Sequence, residues 1–175
     1  MKEYGELLAD DPEYADRATR FTGLVKDVTE FLTELTLEPP LGRVDALVTY
    51  QDPCHLAHAQ DISSAPRQLL AAIPGLRLVE MTRPDRCCGG AGIYSLAHHE
   101  MSLDLLDGKM RDIAATGATI IATANPGCMS QLEAGLRRHP GRAGRVPGRV
   151  VHVVELLDEA YRGGSLASVN TDDTN

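Results

Sequence analysis

Two cysteines stand side by side against three glycines in the stretch Asp85-Arg86-Cys87-Cys88-Gly89-Gly90-Ala91-Gly92. Glycine lets a backbone come close to a bulky group and permits positive φ. Thiolates bind soft metals and iron–sulfur clusters, and amide N–H groups in a glycine-rich turn stabilise negative charge. The competing reading is a tight turn with two buried thiols. The chain has only two other cysteines. Cys54 lies in Asp52-Pro53-Cys54-His55, a thiol beside an imidazole, and Cys128 follows Asn125-Pro126-Gly127. A helix opening at Cys128 would lower its thiol pKa through the helix dipole, which serves ligation and reactivity alike.

These residues need elements to position them. Val44 to Tyr50 reads as a first strand running into Cys54, and Leu76 to Met81 as a second running into Cys87 and Cys88. Thr119 to Ala124 is apolar on both faces, as a central parallel strand should be, and leads to Cys128. Arg149 to Val154 is a fourth strand, with His152 expected in the core. Helical periodicity fills the intervals: Ser63 to Ala72, Leu96 to Ala115 closed by Gly117, a helix starting at Cys128, and Glu155 to Arg162. Before the first strand, Tyr14, Ala18, Phe21, Val25, Val28, Leu32 and Leu35 follow the spacing of one amphipathic helix of about six turns. Within it, Gly23 costs about 1 kcal/mol against alanine.

The expected fold is therefore α/β in three layers, a roughly four-stranded parallel sheet with helices on both faces, preceded by a long N-terminal amphipathic helix. Residues 1–40 are the helical segment, 41–162 the cysteine-bearing domain, and 163–175 a disordered tail rich in Gly, Ser, Asp and Thr. Loops after successive parallel strands share one carboxyl edge of the sheet, where open α/β sheets place ligands. Topology thus gathers Cys54, Cys87, Cys88 and Cys128, which favours one shared metal or cluster site over independent structural thiols.

Composition narrows the function. Hydrophobic residues make up 43% of the 175, aromatics only 4% with no tryptophan, so an aliphatic core is expected. A net charge of -8 argues against nucleic acid as a partner. No apolar run approaches a membrane span, and the charged first residues do not resemble a secretory signal. In a reducing compartment, cysteines read as ligands or redox groups before disulfides. No catalytic residue set is found: there is no nucleophile elbow, phosphate loop, His-Glu-x-x-His or dinucleotide fingerprint. His58, His98 and His99 read as solvated, and Asp52 as a residue that caps or orients its loop.

The spacing Cys, 32 residues, Cys-Cys, 39 residues, Cys resembles the cysteine-rich CCG domain shared by heterodisulfide reductase, lactate utilisation protein A and the glycolate oxidase (glycolate dehydrogenase) iron–sulfur subunit. The stretches Tyr50 to Leu56, Asp85 to Tyr94, Ala124 to Cys128 and Val154 to Asp158 are most similar to the C-terminal module of the last. The resemblance covers about Met1 to Arg162. It implies an iron–sulfur cluster, of 4Fe–4S type, on Cys54, Cys87, Cys88 and Cys128, with His55, Gly89, Gly90, Asn125 and Gln131 around it. It implies an electron-transfer module with no complete active site of its own, partnered by flavin-containing oxidase subunits that oxidise a 2-hydroxy acid. The expected location is cytoplasmic, or peripheral at the inner membrane face through the complex. Two departures stand out. The family pattern ends Cys-x-x-Cys, whereas Gln131 occupies the last position here. The ferredoxin-like segment and first CCG module are not in the sequence, so the chain reads as the C-terminal part of a longer subunit. Two alternatives stay open: a structural zinc module used for interaction, since zinc favours closed four-thiolate sites, and a thiol/disulfide redox subunit of heterodisulfide-reductase type working through Cys87 and Cys88.

Overall fold

Four short β-branched or apolar segments pair side by side and all run the same way. They are β1 (Leu47–Gln51), β2 (Arg77–Leu78), β3 (Ile120–Thr123) and β4 (Arg149–His152), in the order β2-β1-β3-β4. The computed structural model describes residues 1–39, 42–139 and 148–163. Residues 140–147 of the arginine-bearing loop and residues 164–175 of the expected tail lie outside the described residues. The register sets Gln51 opposite Thr123 and Thr123 opposite His152, so the carboxyl ends of β1, β3 and β4 are level. Every residue of β3 is buried, as is all of β1 after Leu47, which is what a sheet covered on both faces requires.

The covering helices are α4 (Cys54–Ala57), α5 (Ser64–Ala71), α6 (Ile93–Ala97), α7 (His99–Thr116), α8 (Pro126–Arg138) and α9 (Val153–Tyr161). On one face, Leu106, Met110 and Ile113 of α7 and Leu132 of α8 pack around Ile121 and Val150. Side chains alternate along a strand, so Ala122 and Val151 point the other way, where α5 and α9 pack together. Arg149 grips Glu159 through two hydrogen bonds of 2.9 and 3.0 Å and ties β4 to α9. Gly135 of α8 faces Met110 and Leu106 so closely that a Cβ there would lie 2.7 Å from the Met110 sulfur, which lets α7 and α8 come together.

The chain divides into two compact units, Met1–Thr36 and the part from Leu37 onward. The first contains α1 (Tyr4–Leu7), α2 (Ala15–Thr22) and α3 (Val28–Glu34). The long N-terminal helix expected from periodicity is not formed. The chain leaves the helix at Gly23, and Asp27 starts a new one. The Asp27 carboxylate accepts from the Thr29 N–H at 2.8 Å, while Glu30 accepts from the Asp27 N–H at 2.8 Å. This reciprocal cap satisfies the amides that a continuous helix would have used, and it overrides the apolar period.

Other boundaries also move. The second strand shortens to two residues. The helix expected from Leu96 to Ala115 is two helices, α6 and α7, separated at His98, whose φ of -124 and ψ of 56 are not helical and whose ring stacks on Tyr94 at 4.3 Å. No helix among the described residues is long and apolar enough to cross a membrane.

Candidate metal centre

In the order β2-β1-β3-β4, the chain leaves β1 to one side and returns on the other. The carboxyl ends of β1 and β3 therefore border the crevice at which open parallel sheets hold ligands. Cys54 is the first residue of α4, three positions after β1 ends, and Cys128 is the third residue of α8, shortly after β3. Cys87 and Cys88 arrive on the loop that follows β2. That loop is stitched to the end of β1, because the Asp52 N–H donates to the Pro84 carbonyl at 3.0 Å.

All four cysteines are free; Cys88 and Cys128 are buried and Cys54 and Cys87 half-buried. Their charges act on one another: Cys87 feels Cys88 and Cys54, and Cys128 feels Cys88, Cys54 and Cys87. The Cys88 thiol is held down, chiefly by the neighbouring Cys128 thiol and against its burial, with help from the Gly90 and Cys88 amides and the Lys109 charge. Cys128 is pushed far up, first by Cys88 and then by burial. Burial also raises Cys87, against the N–H of Gly89, which donates to the Cys87 sulfur at 3.3 Å.

The glycines bring this loop against two helices. Gly89 has φ 88, and a Cβ there would stand 2.3 Å from the Ser102 carbonyl oxygen of α7. A Cβ on Gly90 would stand 3.0 Å from Gln131 Cβ and 3.1 Å from the Gly127 carbonyl of α8. The Ser102 hydroxyl donates to the Gly89 carbonyl at 2.8 Å, and the Gln131 amide donates to the Ser102 oxygen at 3.1 Å. Gln131 thus sits against the loop and joins α8 to α7. Asn125 caps α8, its side-chain oxygen accepting from the Cys128 N–H at 3.0 Å.

The histidines divide differently. His55 is exposed on α4, and His58 is exposed with its ring nitrogen 3.3 Å from the Asp85 carbonyl. His98 is stacked on Tyr94 and His99 is exposed at the start of α7. His152 is not a core residue as expected: it ends β4 and caps α9, its Nδ1 accepting from the Val154 N–H at 3.2 Å. Asp52 is not the cap of α4, which is Pro53. It is 3% exposed, and Arg67 donates to both its oxygens at 2.8 Å while stacking over Tyr50.

Two residues with roles here went unnoticed in the sequence, Ser102 and Lys109. Ser102, Leu106, Lys109 and Ile113 recur at intervals of four, three and four, so both polar residues stand on the buried stripe of α7. A lysine within such a stripe was the available signal.

Among the described residues, no three His, Cys, Asp or Glu side chains form a ready-made coordination group. The donor chemistry fits a soft metal or an iron–sulfur cluster: four thiols border one crevice, beside amides on a loop without Cβ atoms at positions 89 and 90. Asp52, two residues before Cys54, is already taken by Arg67.

A family model described as the CCG cysteine-rich domain matches residues 48–133, from β1 to α8 and across all four cysteines. The chain is 45% identical over 167 residues to a probable glycolate oxidase iron-sulfur subunit of Bacillus subtilis (strain 168), covering 91% of this chain and 36% of that protein. It is 34% identical over 160 residues to the glycolate oxidase iron-sulfur subunit of Escherichia coli (strain K12), covering 91% and 37%. It is 32% identical over 159 residues to lactate utilization protein A of Lysinibacillus sphaericus (strain C3-41), covering 90% and 68%. The chain therefore spans little more than a third of the two glycolate oxidase subunits.

Proposed function

The chain belongs to the family of CCG cysteine-rich domains, and we propose that it is an iron–sulfur electron-transfer module of a complex that oxidises a 2-hydroxy acid, glycolate in the first instance. Cys54, Cys87, Cys88 and Cys128 hold the cluster, of 4Fe–4S type. The observation that carries this reading is that all four free cysteines follow parallel strands β1, β2 and β3 at one carboxyl edge of the sheet, close enough for their charges to act on one another.

When bound, such a cluster supplies one-electron carriage at a potential set by ligand charge, hydrogen bonds to sulfur and burial. The chain's own residues prepare the place. Gly89 directs its N–H at the Cys87 sulfur, and Asn125 orients Cys128 at the start of α8. Arg67 fixes Asp52, two residues before Cys54. Ser102 holds the Gly89 carbonyl and Gln131 holds the Ser102 hydroxyl, which fixes the cysteine–glycine loop against α7 and α8. Oxidation of the substrate falls to flavin-containing partner subunits, and residues 41–162 are the cluster-bearing domain. The reading puts the chain on the cytoplasmic side, where thiols stay reduced.

Anaerobic purification tests it. The expected protein is brown, with iron and sulfide in proportion, and serine at any of the four cysteines removes most of the iron. Colourless protein with one zinc per chain would replace this reading with the zinc interaction module. Metal-free protein with a reactive thiol would favour the thiol/disulfide redox subunit.

A further inference from the structure

The cluster reading leaves one buried group unused. Lys109, in the interior of α7, is 0% exposed. Its ammonium donates to the carbonyls of Arg83 at 2.7 Å and Pro84 at 3.1 Å, and lies 3.8 Å from the Met81 sulfur. The Pro84 carbonyl also accepts from the Asp52 N–H. One lysine thus fastens the loop leading to Cys87 and Cys88 both to α7 and, through that shared carbonyl, to the end of β1.

Its charge is harder to account for. Among the described residues Lys109 makes no ion pair. Asp112 faces it but is held by Arg83 through two bonds of 3.0 Å, and Asp85 is exposed near His58. Arg86, packed over Gly108, adds a second positive charge nearby. A buried ammonium with neutral partners alone is expensive. Met81 and Cys88 belong to one apolar cluster, and Lys109 and Cys88 attract each other. Asp112 attracts the ammonium most and Cys88 next, and thiolates holding a metal would add their charge to what repays the burial.

We propose that Lys109 is a positioning residue of the metal centre, anchoring the Arg83–Pro84 turn and serving as the buried counter-charge that favours the thiolate ligands and raises the reduction potential of what they bind. The part concerning potential rests on the cluster reading; the part concerning thiolate affinity does not.

The experiment compares Lys109→Met, neutral and similar in length, with Lys109→Arg, which keeps the cation, in the whole chain. Cobalt(II) is titrated into metal-free protein and followed by thiolate-to-cobalt absorption. Lys109→Met is expected to bind about tenfold more weakly than wild type, while Lys109→Arg stays within about threefold. In cluster-loaded protein, Lys109→Met should shift the one-electron equilibrium about tenfold toward the oxidised form, about 59 mV lower in potential, with Lys109→Arg near wild type. If Lys109→Met does not fold, Lys109→Gln carries the same comparison, because it keeps a donor without charge. Equal cobalt affinities, an unchanged potential, or an arginine variant that falls as far as the neutral one would overturn the proposal. Wild type that binds cobalt but accepts no cluster defeats the cluster reading alone, and the cobalt comparison still decides Lys109. Wild type that binds neither defeats both.

Discussion

Replacing Gly89 by alanine puts a methyl group where the chain has no room for one. At φ 88 a side chain meets its own backbone, at a cost of about 1–2 kcal/mol. The added Cβ would then stand 2.3 Å from the Ser102 carbonyl. That oxygen belongs to the backbone of α7, so it cannot swing aside as a flexible side chain can, and overpacking of this kind costs about 1–3 kcal/mol more. Gly92 supplies the control. Its φ is also positive, at 58, with ψ -129, but nothing lies within 4 Å of its Cβ position, so Gly92→Ala should cost backbone strain alone. Gly89→Ala is therefore expected to destabilise metal-free protein by about 2–5 kcal/mol, and Gly92→Ala by about 1–3 kcal/mol. For a chain of this size each kcal/mol lowers the melting temperature by about 2–4 °C. Urea midpoints at unchanged slope give the free energies directly. If the two variants melt together, the close approach of the cysteine–glycine loop to α7 does not exist as described, and the account of why glycine is needed at position 89 fails with it.

Arg67→Met leaves the Asp52 carboxylate, 4% exposed, without its partner; thermal unfolding should show a loss of about 3–5 kcal/mol. Glu80→Gln, at a position 46% exposed in the same ion cluster, should cost less than about 1 kcal/mol. Asn125→Ala removes the α8 cap and should cost about 1 kcal/mol, together with a measurable drop in cobalt affinity because Cys128 loses its orienting partner. Gln131→Leu breaks the link to Ser102 at about 1 kcal/mol. Gln131→Cys places a fifth thiol beside Gly90 and is expected to raise iron per chain or alter the electron paramagnetic resonance of reconstituted protein. Identical iron and spectra would confine residue 131 to the Ser102 link.

The parts of this molecule that depend on neighbours in sequence were legible in it. β3 reads as a buried parallel strand because Ile120 to Thr123 carry no charge and sit between turn residues, and the cysteines follow strands at an edge that parallel topology makes common. What stayed hidden depends on distant or competing contacts. The apolar period runs unbroken across Gly23 to Asp27, and only the cap between Asp27 and Glu30 divides α2 from α3. Lys109 looks like any helix lysine until the Arg83 and Pro84 carbonyls are brought to it. The Cys128 thiol is pushed up by Cys88, forty positions earlier in the chain. His152 was placed by its strand but is used by the next helix.

The pairing of β1 with β3 also sets a timetable. A buried hydrogen bond from the Thr123 hydroxyl to the Gln51 side chain closes a separation of 72 residues, and Cys128 is synthesised 74 residues after Cys54. At cellular elongation rates that interval is about 4–15 s. Through it Cys54, joined after 33 residues by Cys87 and Cys88, waits on a nascent chain whose sheet lacks its central partner strand, with no crevice to shelter it. Metal delivered during that time meets an incomplete set of donors. A complete set of four donors therefore exists only once the first turn of α8 has been made.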